Sequence, residues 1–471
     1  MTRPPFGFGP PDRPEEPEDP FGLQAMFGGA GGPFGGDMGG MFAQLQKLMS
    51  WSGGPVNWDL AGEVATGATR PDDVPVTAEQ EREVAEACRL ADLWLDAVTE
   101  LPATGGTPRA WTRTGWVEST TPAWRQLVDP VAGRVVGAMG TAMGQALDQG
   151  LAGGVPEGLP PELAGLLGGL GGGALGPLQG VMGQVGGFVF GAQVGQALGS
   201  LAKEVLSSTE IGLPLSDAGR PALVPANLAA FSAGLAVPAE QVRLYVALRE
   251  LAHQRLFSSV PWLKAHLYDA VDAYARGIAV DGSAVERAVS SIDPSDPESL
   301  QRAMGEGLFD IEPTPAQQAA LARLETALAL VEGWVDAVVD AACATTLPAA
   351  AALRETVRRR RASGGPAEQT FATLVGLQLR PRRLREAAAL WSAVAEHGGP
   401  SARDALWSHP DLLPSSEDLE DPAGFVARTH APDTGAAETD WDAGLRGLDK
   451  DLDGTLDDDA TGADDPDPPR A

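Results

Sequence analysis

Residues 238–257 read PAEQVRLYVALRELAHQRLF. Pro238 suits the first turn of a helix, because its φ is already helical and its missing N–H would have no partner there. A helix is therefore expected from Pro238 to about Phe257. Reading outward, the same signals recur downstream. Pro261 opens a helix reaching Gly277, a long one runs from Pro315 to about Thr345, and others run from Pro348 to Ala362 and from about Pro366 to His397. Upstream, TAEQEREVAEACRLADLWLDAVTEL (77–101) carries an N-capping Thr77, Glu81 in its first turn, and an apolar stripe from Val84 to Leu95. A further helix is expected to start near Thr121-Pro122. Only Ile211–Leu215 and Ala222–Ala226, separated by the turn signal SDAGRP, read as extended. The fold class is mainly α with a small β element.

One segment is patterned by glycine. Gly183, Gly187, Gly191, Gly195 and Gly199 recur every four residues. A glycine weakens a helix by about 1 kcal/mol, so a stripe of them implies a compensating gain, and close approach of another helix supplies one. No charge lies between Glu162 and Lys203, which is long enough to span a bilayer. Pro177, Gly171–Gly173 and several glutamines dilute that stretch, so a glycine-faced helix pair is expected rather than a membrane span. Residues 150–177 read as a loop or insertion.

The ends differ from the middle. Residues 1–54 are rich in Gly and Pro with aperiodic Phe and Met, which predicts a disordered tail; Met41–Trp51 is its one amphipathic piece. Residues 426–471 turn acidic and read as a second disordered tail, leaving 55–425 as the folded domain. With 34 basic against 64 acidic residues, the formal net charge is −30. Like charges repel, so nucleic acid and anionic membrane are not expected partners. Cys88 and Cys343 are the only cysteines, too few for a disulfide framework or a Cys-based zinc knuckle. No apolar leader follows Met1, and a cytoplasmic location is expected.

The helix at 238–257 contains LRELAH, residues 248–253. In a zinc-peptidase helix, two histidines at i and i+4 bind the metal from one face. The glutamate after the first of them polarises the attacking water. Here Glu250 and His253 hold their places, but Arg249 stands at the first ligand position. A guanidinium keeps its proton in a protein and does not ligate zinc. Taken alone, Arg-Glu-x-x-His is usually a surface ion-pair cluster.

The surroundings add more. VRLYVALRELAHQRLFSSVPWLKAHL, preceded by RPALVPANLAAF and followed by ALALVEGWVDAVVD, resembles the actinobacterial zincin-like metallopeptidase family, labelled zinc-dependent metalloproteases by homology. VNWDLAGEVA, CRLADLWLD, TRTGWVESTTPAWRQLVDPV, TFATLVGLQLRPRRLREAAALW and RDALWSHPDLLP extend the resemblance over about residues 55–425. It implies a helical zincin-like domain, a zinc cofactor and hydrolase activity on a protein or peptide. By the same resemblance, the first metal ligand falls on Arg249, the general base on Glu250, the second ligand on His253 and a third, acidic ligand on Glu332. Ala222–Ala226 takes the place of the edge strand beside substrate. His253 and Glu332 fall short of the three protein ligands of a catalytic zinc. Of the other histidines, His266 is the one that a turn could bring back to the site.

A second reading follows from the Arg249 departure. Arg249 is expected in the metal's place, its fork reaching Glu332 and Asp336, which share a helix face at i and i+4. The chain would then be an inactive member of the fold serving as a scaffold or protein-interaction module. Two weaker features remain. Arg354, Arg358 to Arg361, Arg380, Arg382, Arg383 and Arg385 form a basic patch that an anionic partner or the acidic tail could meet. Asp449, Asp451, Asp453 and Gly454 match the start of a calcium loop, but position twelve is Ala460 rather than Glu. GGLGGGALG lacks the Lys-Ser/Thr of a phosphate loop.

Overall fold

The computed structural model describes residues 51, 53–152, 175–277, 314–362 and 383–429. In chain order these form α1 (Trp58–Thr69), α2 (Ala78–Leu95), β1 (Arg109–Ala110), α3 (Arg113–Ala152), α4 (Leu175–Ala202), β2 (Ala222–Leu223) and α5 (Pro225–Ala233). Then come α6 (Ala239–Ser259), α7 (Pro261–Arg276), α8 (Pro315–Cys343), α9 (Ala350–Ala362), α10 (Leu384–Ala405) and α11 (Pro422–Thr429). The fold is mainly α. The one sheet among the described residues is β1 paired parallel to β2, with Arg109 opposite Ala222. The chain divides into two units, Met1–Pro422 and Ala423–Ala471, and the described part of the second is α11 after its first residue. The expected tails up to residue 50 and from 430, most of the expected 150–177 loop, and the calcium-like aspartates lie outside the described residues.

Local chemistry explains where several helices begin. Thr77 caps α2 through a full capping box, in which Gln80 rather than Glu81 answers the cap. The helix expected from Thr121-Pro122 instead starts at Arg113 and carries Pro122 and Pro130 inside it. Its first turn is held from outside. The Asp73 carboxylate accepts from the Arg113 and Thr114 amides at 2.9 Å each, and Thr112 Oγ1 accepts from the Gly115 amide at 2.9 Å. Those caps fix the start eight residues ahead of the expected one. Of the extended candidates, Ala222–Leu223 is a strand, whereas Ile211–Leu215 forms turns closed by Gly212 N–H donating to Thr209 O at 2.8 Å.

The glycine stripe of α4 packs on α1. A Cβ at Gly191 would lie 2.5 Å from Asn57 O, at Gly195 2.5 Å from Ala61 O, and at Gly199 2.8 Å from Ala68 Cβ. Backbones this close leave no room for a side chain, which is the gain that outweighs the glycines' weak helix propensity. No helix of the described residues is long and apolar enough to cross a membrane. Gly195→Val is expected to lower unfolding free energy by about 1–3 kcal/mol. Gly62→Ala, at an α1 site with nothing within 4 Å of the new methyl, should raise it by about 0.5–1 kcal/mol. Urea titration of both variants checks the contrast.

Helix α6 is the centre of the domain. Every residue from Tyr245 to Phe257 is buried, including Arg249, Glu250, His253, Gln254 and Arg255. A surface ion-pair cluster is therefore not what this helix carries. It packs against α2, α8, α5 and β2, and a polar side chain buried on such a helix must find partners on whichever element it faces. Arg255 shows the rule: it donates to Asp92 Oδ1, to Asp96 Oδ1 at 2.7 Å, and to the carbonyls of Asp92 and Leu101.

Candidate functional site

Arg249 and His253, one turn apart on α6, face Glu332 and Asp336, one turn apart on α8. All four are buried, and Glu332 is 1% exposed. One guanidinium fork reaches both carboxylates: Arg249 Nη2 donates to Glu332 Oε2 at 2.6 Å and Nη1 to Asp336 Oδ1 at 3.3 Å. His253 Nε2 lies 3.1 Å from Glu332 Oε1, and its Nδ1 lies 2.9 Å from the Arg249 carbonyl oxygen. The carbonyl accepts only, so Nδ1 carries a proton and Nε2 is the nitrogen turned to the carboxylate.

Helix α9 closes the cluster from another side. Arg361 Nη1 is 2.5 Å from Glu332 Oε1, and Arg358 grips Asp336, with Nε donating to Oδ2 at 2.9 Å. One step further along, Arg354 pairs with Asp340. The two helices thus form an antiparallel ladder of rungs Glu332–Arg361, Asp336–Arg358 and Asp340–Arg354. The basic patch is turned inward at these residues, and Arg360 and Arg361 also reach the carbonyls of Glu204 and Glu210. Arg359 and Arg385 both pair with Glu355, and Arg383 with Glu420. Arg380 and Arg382 lie outside the described residues.

Electrostatics follow from this packing. Burial works to raise the Glu332 pKa, but Arg361, His253 and Arg249 outweigh it and hold the carboxyl well below the usual carboxylate range. Burial likewise opposes the charge on Arg249. Glu332, Tyr245 and Asp336 reverse that and hold its pKa above the ordinary guanidinium value. Tyr245, one turn before Arg249, is pushed up to about 12 by burial. Gly212 completes the wall over Glu332. Its φ is +77°, and a Cβ there would sit 2.5 Å from Glu332 Oε1, so only glycine fits on both counts.

Glu250 is turned elsewhere. Successive helix residues point about 100° apart, and its carboxylate faces the 207–209 loop and β2. Oε1 accepts from Ser208 Oγ at 2.5 Å, Gln254 Nε2 at 3.0 Å and the Ala222 amide at 3.2 Å. Oε2 accepts from Thr209 Oγ1 at 2.6 Å and the Thr209 amide at 3.1 Å. Those five donors fill the carboxylate, and Glu250 is 0% exposed. In this structure Glu250, the expected general base, ties α6 to the strand and loop. Gln254 is one turn along the same helix, but the other donors were not readable from spacing, since they come from residues 28 to 42 positions away.

His266 does not join the cluster. It is half-buried on α7, edge-on to Trp262, with its pKa lowered by burial and by Arg323. His409 caps the short turn at Pro410–Leu412. Arg358 and Arg361 are the site residues that the sequence reading placed on a surface. The signal for them was present in the four-residue spacing of Glu332, Asp336 and Asp340, matched by Arg354 and Arg358. The RDALW segment is structural: Asp404 accepts from Trp334 Nε1, Thr99 Oγ1 and the Glu100 amide, and Trp391 stacks on Trp407.

With this geometry in view, the sequence matches the model of the zincin-like metallopeptidase family over residues 56–426. The chain belongs to that family. No curated relative matches it. Among solved structures, it resembles the crystal structure of "a putative hydrolase with a novel fold" from Chloroflexus aurantiacus, at 18% identity and a TM-score of 0.52. The similarity covers 79% of this chain and 98% of that one, and it speaks to the fold. The family implies zinc in general. In this member the donor set does not suit a catalytic zinc. Both oxygens of Glu332 already receive cationic donors, His253 Nε2 is turned to one of them, and the residue one turn before His253 is a guanidinium, which does not ligate zinc. No group of three or more His, Cys, Asp or Glu placed to hold a metal occurs among the described residues.

Proposed function

We propose that this chain keeps the zincin-like scaffold but uses it without zinc, as a protein- or peptide-binding module. The Arg249 guanidinium supplies the fixed positive charge in the metal's place. The observation that carries this reading is the 2.6 Å contact between Arg249 Nη2 and Glu332 Oε2, made while His253 engages the other oxygen of the same carboxylate. A metal entering there would have to strip a buried guanidinium of the closer of its two carboxylates, which costs several kcal/mol. Family membership favours a second reading, a zinc-dependent hydrolase with His253 and Glu332 as ligands. That reading requires Arg249 and Arg361 both to withdraw and another ligand to be recruited.

Elemental analysis of protein purified without chelator or metal resin separates the two. The expected result is far less than about one zinc per chain, with a melting curve unmoved by chelator. Close to one zinc per chain, lost in His253→Ala, would establish the hydrolase reading instead.

A further inference from the structure

Between α2, the first turns of α6 and the Thr346–Pro348 connection lies a cleft of about 360 Å³. Its floor is apolar, built by Ala87, Leu90 and Trp94 of α2, Leu244 of α6, and Leu347. Its rim is acidic. Glu83, Glu86 and Glu240 stand around it, and the one cation, Arg243, is already held by Glu83 at 2.9 Å. Leu90 is 40% exposed and Leu93 65%. With Trp94 they occupy positions i, i+3 and i+4 of one helix face, so the floor continues over α2 as an apolar ridge. Single exposed leucines need no explanation, whereas a ridge continuous with an apolar cleft and rimmed by polar residues marks a contact surface.

We propose that this cleft docks a cationic amphipathic helix of a partner protein. The helix lays its apolar face on Leu90, Leu93 and Trp94, and its Lys or Arg side chains meet Glu86 and Glu240. The aromatic and leucine anchors supply the affinity, while the carboxylates fix the sign of the partner and speed its encounter. An acidic helix would bring like charges together on the rim and be rejected. The cleft shares no residue with the Arg249 cluster, so this proposal and the zinc-free reading are tested separately.

The full chain is titrated with a fluorescein-labelled synthetic helix bearing leucines at i, i+3, i+4 and i+7 flanked by arginines. A twin peptide carries glutamates in place of the arginines. The basic helix is expected to bind with a Kd on the order of micromolar, and the twin not to bind. Leu90→Glu with Leu93→Glu should weaken binding by about tenfold or more. Both positions are exposed, and circular dichroism confirms that the variant is folded. The substitutions add negative charge to a chain already at −30, so adventitious charge attraction would persist or strengthen. Unchanged or tighter binding in the variant overturns the proposal, as does equal binding of the acidic twin. A wild-type dimer that the variant abolishes also overturns it, by placing a second copy of this chain in the cleft.

Discussion

Glu332→Gln is expected to lower the unfolding free energy by about 3–5 kcal/mol. The substitution keeps the shape of the side chain and removes its charge. Arg249, Arg361 and His253 then face a neutral amide; the buried Arg249 keeps only Asp336, and Arg361 loses its carboxylate partner. Chemical denaturation at neutral pH measures the loss. Glu355→Gln is the control: it also removes a carboxylate paired with arginines, but one that is 46% exposed, and its effect should stay within about 0.5 kcal/mol. The pH dependence gives the sign independently. The folded-state pKa of Glu332 is depressed, so its contribution is complete above the unfolded carboxylate pKa and declines as pH falls toward the folded value. The gap between wild type and Glu332→Gln should therefore narrow on acidification below about pH 4. Superimposable curves at neutral pH would sink the ion-cluster account.

Glu250→Gln is the second large effect. A general base replaced by its amide normally leaves the fold intact and removes activity alone. Here the carboxylate satisfies five donors, two of them backbone amides, in a site closed to water. The glutamine amide group would point its own N–H bonds at two or more of those donors. Each buried donor left without an acceptor costs about 1–3 kcal/mol, so a combined loss of about 3–5 kcal/mol is expected. Glu250→Ala should be at least as severe, and hydrogen exchange at the Thr209 and Ala222 amides should rise in both. An unaltered melting curve for Glu250→Gln would return Glu250 to the role of a base.

Much of this was legible in the chain, and the exceptions have physical causes. Helix starts announced by Pro261, Pro315 and Thr77 were readable because the signal is local: a fixed φ or a hydroxyl one turn from the amide that it caps. The start of α3 carries one such local cap in Thr112, which Pro122 outweighed as a signal, whereas its other cap, Asp73, lies forty residues upstream in sequence. The pairing of Arg249 with Glu332 and Asp336 follows from i, i+4 spacing on two helices once those helices adjoin. The burial of α6 gave no such signal. Its polar residues point to several sides, which reads as a wetted surface until α2, α8 and β2 are placed around it. The arginines of α9 looked like a patch for an outside partner for the same reason. A run of charge states its sign, not the direction in which it faces.

The ladder between α8 and α9 has a consequence for how this chain can change. Arg249→His alone would complete the two-histidine spacing, but Arg361 would still hold Glu332. Loss of Arg361 alone would leave Arg249 on the same carboxylate. Each single step gives up an ion pair and still leaves Glu332 engaged. The cluster is an interlock: no one substitution releases the carboxylate.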